Sequence, residues 1–426
     1  MKNKKALNFL FAANTISGFA QGISMLAIPW YFASVLNDST TFGIIYAITT
    51  IISLFWGLYA GTLIDRYSRK IIFLSTCVVS FIILFSVSLI GYYLGYVPTI
   101  LVAVVFCFTI FNYNIHYPTL YAFGQEISEK HNYGKTNSLI EIIGQSTSII
   151  SGVFAALLLT GVNKAFLSQL GLSNLINFNI EPWTLYEIFM LDASTYVVAF
   201  FLILLIKYTP IKSLEVDKSS VWNRLTQGFS YLKKHPLLLH FGTASFAIFV
   251  ILLIHVHQLM PIYVDKHLQA NSGIYALGEM IYAVGALLSG IGIRWAFRKT
   301  NTINAIIILM FLSFIAFELL AFTKDVTMLM LVSFILGLTN AGARIVRITY
   351  LFEHIPNNII GRTGSVFNTI NIFLRFVFIG IFTLPFFNHS NNIIWAYCIG
   401  GLFILVSIIP LVMHYKNLIN YKNIDE

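Results

Sequence analysis

Long apolar stretches separated by short polar ones set the pattern of this chain. Twelve windows, from 8–34 to 392–413, are each long enough to cross a bilayer, whose apolar core of about 30 Å takes roughly 20 helical residues. The fourth window covers 96–116 and the tenth 326–346. The first apolar run follows MKNKK as a signal peptide's would, but it is too long and has no small-residue cleavage site, so it reads as a span. One polar interval is wider. Residues 207–236 contain WNRLTQGFSYLKKHP, where Trp222, Leu225, Phe229 and Leu232 recur at helical spacing on one face. That predicts an amphipathic helix at the membrane surface, lying on lipid or packed on the protein's own loops. The pattern divides the chain into a six-helix half at 1–206, a linker at 207–236 and a second six-helix half at 237–426.

Charge orients this array. Of the 26 Lys and Arg residues, 22 border loops on the side that holds both termini. Lys164, Lys266 and Lys324 lie on the other side, and Arg375 lies inside a span. The positive-inside rule then puts both termini in the cytoplasm of a multi-pass protein of the inner, cytoplasmic cell membrane. Composition agrees, at 58% hydrophobic and 10% charged residues, and excludes a soluble domain. The net charge of +9 comes with no nucleic-acid-binding pattern, so nucleic acid is not an expected partner. Cys77, Cys107 and Cys398 sit in apolar runs without disulfide or metal-ligand spacing. No phosphate-binding glycine loop and no acid–base or metal cluster is assembled, so neither an enzyme, an ATP-driven pump nor a cofactor is expected.

The halves also resemble each other. GTLIDRYSRK at 61–70 aligns with GIGIRWAFRK at 290–299, YAF at 121–123 with YLF at 350–352, and GKTNSL at 134–139 with GRTGSV at 361–366. The offsets are 229, 229 and 227, and each match falls at the equivalent loop of its half. This is the six-plus-six duplication used by alternating-access transporters. The external segment 161–184 has no counterpart and reads as a surface loop, a short interfacial helix or a lid.

The loop at 61–70 resembles the signature of the major facilitator superfamily, G-x-L-x-D-R-x-G-R-K, at Gly61, Leu63, Asp65, Arg66, Arg69 and Lys70. It departs at Ser68, where glycine is usual. The likeness covers essentially the whole chain. Within it, SGFAQGISMLAIPWY, MLDASTYVVAF and GFSYLKKHPLL are similar to the bacterial branch of macrolide-efflux proteins and enterobactin exporters. The resemblance implies an all-α integral membrane fold of 12 helices in two pseudo-symmetric halves. It further implies a monomer exporting a small amphipathic organic compound, drug or siderophore-like, with protons as the coupling ion. Movement of lipid or lysophospholipid is the alternative within transport, and a non-transporting sensor or scaffold the alternative outside it. The resemblance also implies a cytoplasmic gate, with Asp65 meeting the amide ends near Thr363 and Arg69 assisting. Gly61, with Gly57, would permit close helix approach, and Arg66 and Lys70 would serve as topology anchors. Two departures touch this picture: Ser151 and Gly152 stand where drug–proton antiporters carry Gly-Pro, and Arg294 replaces the acid in the second copy.

The polar residues inside spans supply the remaining chemistry. Arg375 lies near mid-membrane, where a cation costs at least about 2.5 kcal/mol without a wet cavity or a partner. Glu279 lies at a similar depth and is its expected partner, either for binding substrate or protons or as a structural pair. Glu141, with Gln145 one turn later, is suited to receive a proton or a cationic substrate, or to pair with Lys135. Asn112 and His116 form an i, i+4 stripe that either lines a pore or hydrogen-bonds between helices. Gln21 and Asn14 are candidate hydrogen-bonding groups of a cavity, while Asp192 is expected to play a structural hydrogen-bonding part. His255 and His257, two apart, occupy different helix faces, which argues against a shared metal.

Overall fold

A segment that crosses lipid must satisfy its backbone polar groups internally, and each apolar window accordingly folds as a helix. The computed structural model describes residues 3–129, 132–161, 181–208, 221–356, 359–389 and 391–421. In chain order the helices are α1 Lys4–Trp30, α2 Ser39–Arg66, α3 Arg69–Leu94, α4 Thr99–Ile127, α5 Tyr133–Thr160 and α6 Leu185–Leu204. The linker helix α7 Val221–Lys234 follows, then α8 Pro236–His267. The last five are α9 Ser272–Ala296, α10 Thr302–Phe322, α11 Val326–His354, α12 Ile360–Thr383 and α13 Ile393–Met413. Twelve of these are long and apolar enough to cross a membrane. Several outrun their apolar windows: α4 continues to Ile127 past residue 116, and α11 to His354 past residue 346. Hydropathy marks only the part of a helix that lipid requires, whereas the backbone ladder continues into polar sequence. Those extensions carry Glu126 and Arg347.

The chain forms two compact units, Met1–Val216 with Ala270–Met280 and Asp217–Gln269 with Ile281–Glu426. In the first, α6 packs on α1 and α3, α1 on α5, and α2 on α4. In the second, α10 packs on α11 and α13, and the linker helix α7 packs on α12. Small residues let α9 and α11 of the second unit approach closely. A Cβ at Gly285 would strike the carbonyl oxygen of Phe334, and one at Gly337 that of Tyr282. A Cβ at Gly57 or Gly61 meets nothing within 4 Å in the first unit.

In the linker helix Gly228 sits against the backbone of Arg362 and Thr363, and beside it Leu232 is fully buried. Within the same apolar arc Trp222 and Phe229 lie at the outer edge, 73% and 52% exposed. The segment 162–180, expected as a loop, interfacial helix or lid, lies outside the described residues.

A fourth repeat is visible in the backbone. After Pro29, α1 runs into a π-helical turn, Tyr31–Val35, closed by Leu36 N–H donating to Tyr31 O at 2.8 Å. After Pro261, α8 ends on the same turn, Tyr263–His267, closed by Leu268 N–H donating to Tyr263 O at 2.9 Å. The next residue is left-handed in both, Asn37 at φ 53° and Gln269 at φ 52°. Proline, tyrosine and leucine recur here at an offset of 232, too sparse a match to find by sequence alone. The prolines remove helical donors and loosen the ladder, which then widens to i, i+5.

Candidate functional site

In the first unit the polar stripe of α4 is tied outward, turn by turn, to other helices. Asn112 Nδ2 donates to Tyr196 Oη on α6 at 3.1 Å, and His116 Nε2 lies 2.8 Å from Asn14 Oδ1 on α1. Asp192, 1% exposed, accepts from Ser24 Oγ at 2.7 Å, while its Oδ1 has no hydrogen-bond partner among the described atoms. Tyr121 Oη donates to the Glu141 carboxylate between α4 and α5. Gln21 is buried on α1, and Gln145 is half-buried on α5.

The signature loop shows what each of its cations holds. Ser68 caps α3, accepting from Ile71 N–H at 3.4 Å with φ −65°. Nothing there calls for the left-handed backbone that favours glycine, and serine is a preferred cap. Arg69 donates to the carbonyls of Ile64 and, at 3.0 Å, Tyr67, where α2 ends. Its Nε lies 3.3 Å from Glu126 Oε1, on the extension of α4 that the apolar window omitted. Lys70 Nζ donates to Leu204 O at 2.9 Å and Ile206 O at 2.8 Å, neutralising carbonyls that α6 leaves unpaired at its C-terminal end. Arg66 is exposed, its guanidinium carbon 5.7 Å from the ring centre of Tyr67. The side chains of Asp65 and Arg294 lie outside the described residues.

In the second unit, half-buried Arg375 of α12 lies within electrostatic reach of His257 on α8. His255 turns elsewhere, with Nδ1 3.0 Å from Tyr397 Oη, so the two histidines diverge as their spacing predicts. Glu279 belongs to the segment grouped with the first unit, where it lies beside Tyr275. Gly152 packs in that unit against Ala276 O and Met280 Cα, each 3.2 Å from where its Cβ would stand. No three His, Cys, Asp or Glu residues converge as metal ligands among the described residues.

Sequence reasoning missed Arg347. Counted among the cytoplasmic anchors, it is instead 4% exposed within α11. Its Nη1 donates to Ser245 O at 3.0 Å, and its guanidinium carbon lies 3.7 Å from the ring centre of Phe246. The helix of α8 is interrupted at Phe246, and the Ser245 carbonyl takes its hydrogen bond from Arg347. The available signal was Leu351 and Ile355, four and eight residues on, which mark the apolar face that Arg347 shares.

The family model described as Major Facilitator Superfamily matches residues 10–379. The chain belongs to the major facilitator superfamily. Solved structures agree on the fold. The nucleoside transporter NupG, in a point-mutant form, superposes with a TM-score of 0.72 at 14% identity, covering 95% of this chain and 100% of that one. A D-xylose–proton symporter gives 0.68 at 12% identity, covering 96% and 97%. A bacterial homologue of the human lysosomal transporter Spinster gives 0.62 at 14%, covering 98% and 97%. A comparison with curated protein sequences finds no significant match. At such identities the structures establish the shared fold, and membership of this superfamily of transporters supports transport of a small molecule.

Proposed function

We propose that this superfamily member is a secondary transporter working by alternating access, exporting a small amphipathic organic compound in exchange for protons. The observation that carries this reading is the Major Facilitator Superfamily match over residues 10–379, on a chain whose described residues include 12 helices long and apolar enough to cross a membrane. Ionisable groups inside such helices, Glu279 and Arg375 among them, are costly there and by default mark a proton or substrate path. Direction and substrate type rest on the likeness to macrolide-efflux proteins and enterobactin exporters. The halves at 1–206 and 237–426, joined by 207–236, are the parts that exchange access. Asp65 and Arg69 gate the cytoplasmic side, with Gly61, Arg66 and Lys70 completing the loop. Glu279, Arg375, Glu141, Gln145, Asn112, His116 and Gln21 are the residues we assign to substrate or proton handling.

The test is flux into inside-out vesicles, with and without an imposed pH gradient, for a panel of macrolides and siderophores. Uptake should rise with an acid interior and collapse with a protonophore. Transport that ignores the gradient for every compound overturns proton exchange. Asp65→Asn should insert normally and lose most of its flux, and wild-type flux in that variant sinks the gate assignment.

A further inference from the structure

A polar hollow of about 510 Å³ opens within the second unit, between the linker helix α7 and the start of α12. Its lining takes Gln227, Ser230, Tyr231 and Lys234 from α7, His235 from the turn that follows, and Arg362 from α12. Each of these side chains can donate a hydrogen bond, Lys234 and Arg362 are cations, and no carboxylate belongs to the lining. Gln227, Ser230 and Lys234 are exposed, so their donors already stand in solvent at the wall of the hollow. Lys234 forms no hydrogen bond or ion pair with any described residue.

The two walls are locked together. Gly228 of α7 is seated on the carbonyl of Arg362, where a Cβ would collide, and Leu232 beside it is fully buried. His235 is fixed as well, with Nδ1 2.7 Å from Tyr421 Oη and its ring centre 4.3 Å from that of Tyr231. Lys234 and Arg362 therefore keep their charges on one concavity, which holds a positive potential and concentrates anions.

The donors select among anions. An arginine fork and a lysine ammonium both suit phosphate oxygens, and a hydroxyl and an amide add neutral donors from the α7 wall. A carboxylate offers two oxygens, whereas a phosphate ester offers three and up to two negative charges. The volume lies inside the range of about 300–1,000 Å³ usual for small-ligand pockets, which leaves room for the organic part of an ester. By helical spacing Gln227 and Lys234 lie on one flank of α7 and exposed Trp222 and Phe229 on the other, with buried Gly228 and Leu232 between them. The flank suited to lipid is thus not the flank that lines the hollow.

The geometry points to a binding site for a phosphate group carried on a soluble ester, with Arg362 and Lys234 as its charged ligands and Ser230 and Gln227 as its neutral donors. A lipid headgroup shares this chemistry, and the experiment separates the two sources. The site does not depend on the transport reading.

Glycerol 3-phosphate and glycerol are the soluble probes, and mixed micelles of phosphatidylglycerol or phosphatidylcholine the lipid ones. Each is titrated against the purified full-length protein in neutral detergent at constant ionic strength while thermal unfolding is followed. Glycerol 3-phosphate should give a saturable rise in unfolding temperature that glycerol does not. Lys234→Glu should weaken its binding by about tenfold or more. Because Lys234 is exposed and bonds to nothing described, this variant should fold normally. Lys233→Glu makes the same charge change on an exposed neighbour outside the lining, and should leave binding within about twofold. A response to phosphatidylglycerol alone, lost in Lys234→Glu and kept in Lys233→Glu, upholds the phosphate site and names the lipid as its source. Equal losses in the two variants reduce the effect to net charge and overturn the site. So does an undiminished response in Lys234→Glu, or the lack of a saturable response to either phosphate-bearing probe.

Discussion

At the exit of its first helix each repeat closes the same π-helical turn on a tyrosine carbonyl and then places one residue left-handed, whereas the two units treat a partly or wholly buried arginine in opposite ways. In the first unit Arg69 faces a carboxylate, Glu126, at 3.3 Å. In the second, Arg347 faces a ring, Phe246, and one carbonyl, that of Ser245. The backbone turn has survived divergence that kept only a proline, a tyrosine and a leucine, because φ and ψ tolerate many side chains. A buried charge tolerates few surroundings, so its placement records what each unit now does. One arginine is answered by an acid of its own unit. The other keeps a buried donor that no described atom meets.

The largest effect expected from this contrast comes from stranding the paired cation. Glu126→Leu leaves Arg69 partly buried beside apolar atoms. Because both side chains keep some exposure, 18% and 15%, the loss should be about 2 kcal/mol, below that of a fully buried pair. Thermal unfolding of the purified protein measures it, and Arg69→Met combined with Glu126→Leu should recover most of the loss. A loss under about 0.5 kcal/mol would reduce the pair to a surface contact and break the comparison.

Arg347→Met should behave differently. It removes a buried cation that lacks an acid, keeps most of the volume over Phe246, and frees the Ser245 carbonyl. The lost ring and carbonyl contacts and the relieved desolvation oppose each other, so stability should stay within about 1 kcal/mol of wild type. A fall of several kcal/mol would make Arg347 structural and remove the asymmetry between the units.

Much of this architecture is legible in the sequence. The spans follow from apolar windows because lipid leaves the backbone no other solution, and the loop cations follow from topology. Residues beyond the window edges are where legibility stops. Glu126 and Arg347 sit on helical extensions that a hydropathy window discards as loop. The burial of Arg347 depends on a break at Phe246 in a different helix, α8, and no pattern local to α11 reports it. The partners of Asn112 and His116 are likewise residues of other helices, Tyr196 and Asn14. Gly61 shows the converse: its signature is plain, yet no neighbour within its own unit calls for it.

The smallest expected effect tests the half of the comparison that the two units share. Asn37 and Gln269 hold nearly the same left-handed φ, 53° and 52°. Asparagine tolerates that region because its short side chain can hydrogen-bond locally, whereas glutamine, one methylene longer, gains little of this and carries more of the steric cost. Glycine removes the cost at either site but adds freedom to the unfolded chain. The two effects should nearly cancel for Asn37→Gly and leave a net gain of about 0.5 kcal/mol for Gln269→Gly. Paired unfolding scans of the two variants read the difference directly, since the unfolded-state term is common to both. Equal shifts would mean that the π-turn and its proline impose the left-handed residue whatever its side chain. The identity of that residue would then carry no stability in either repeat.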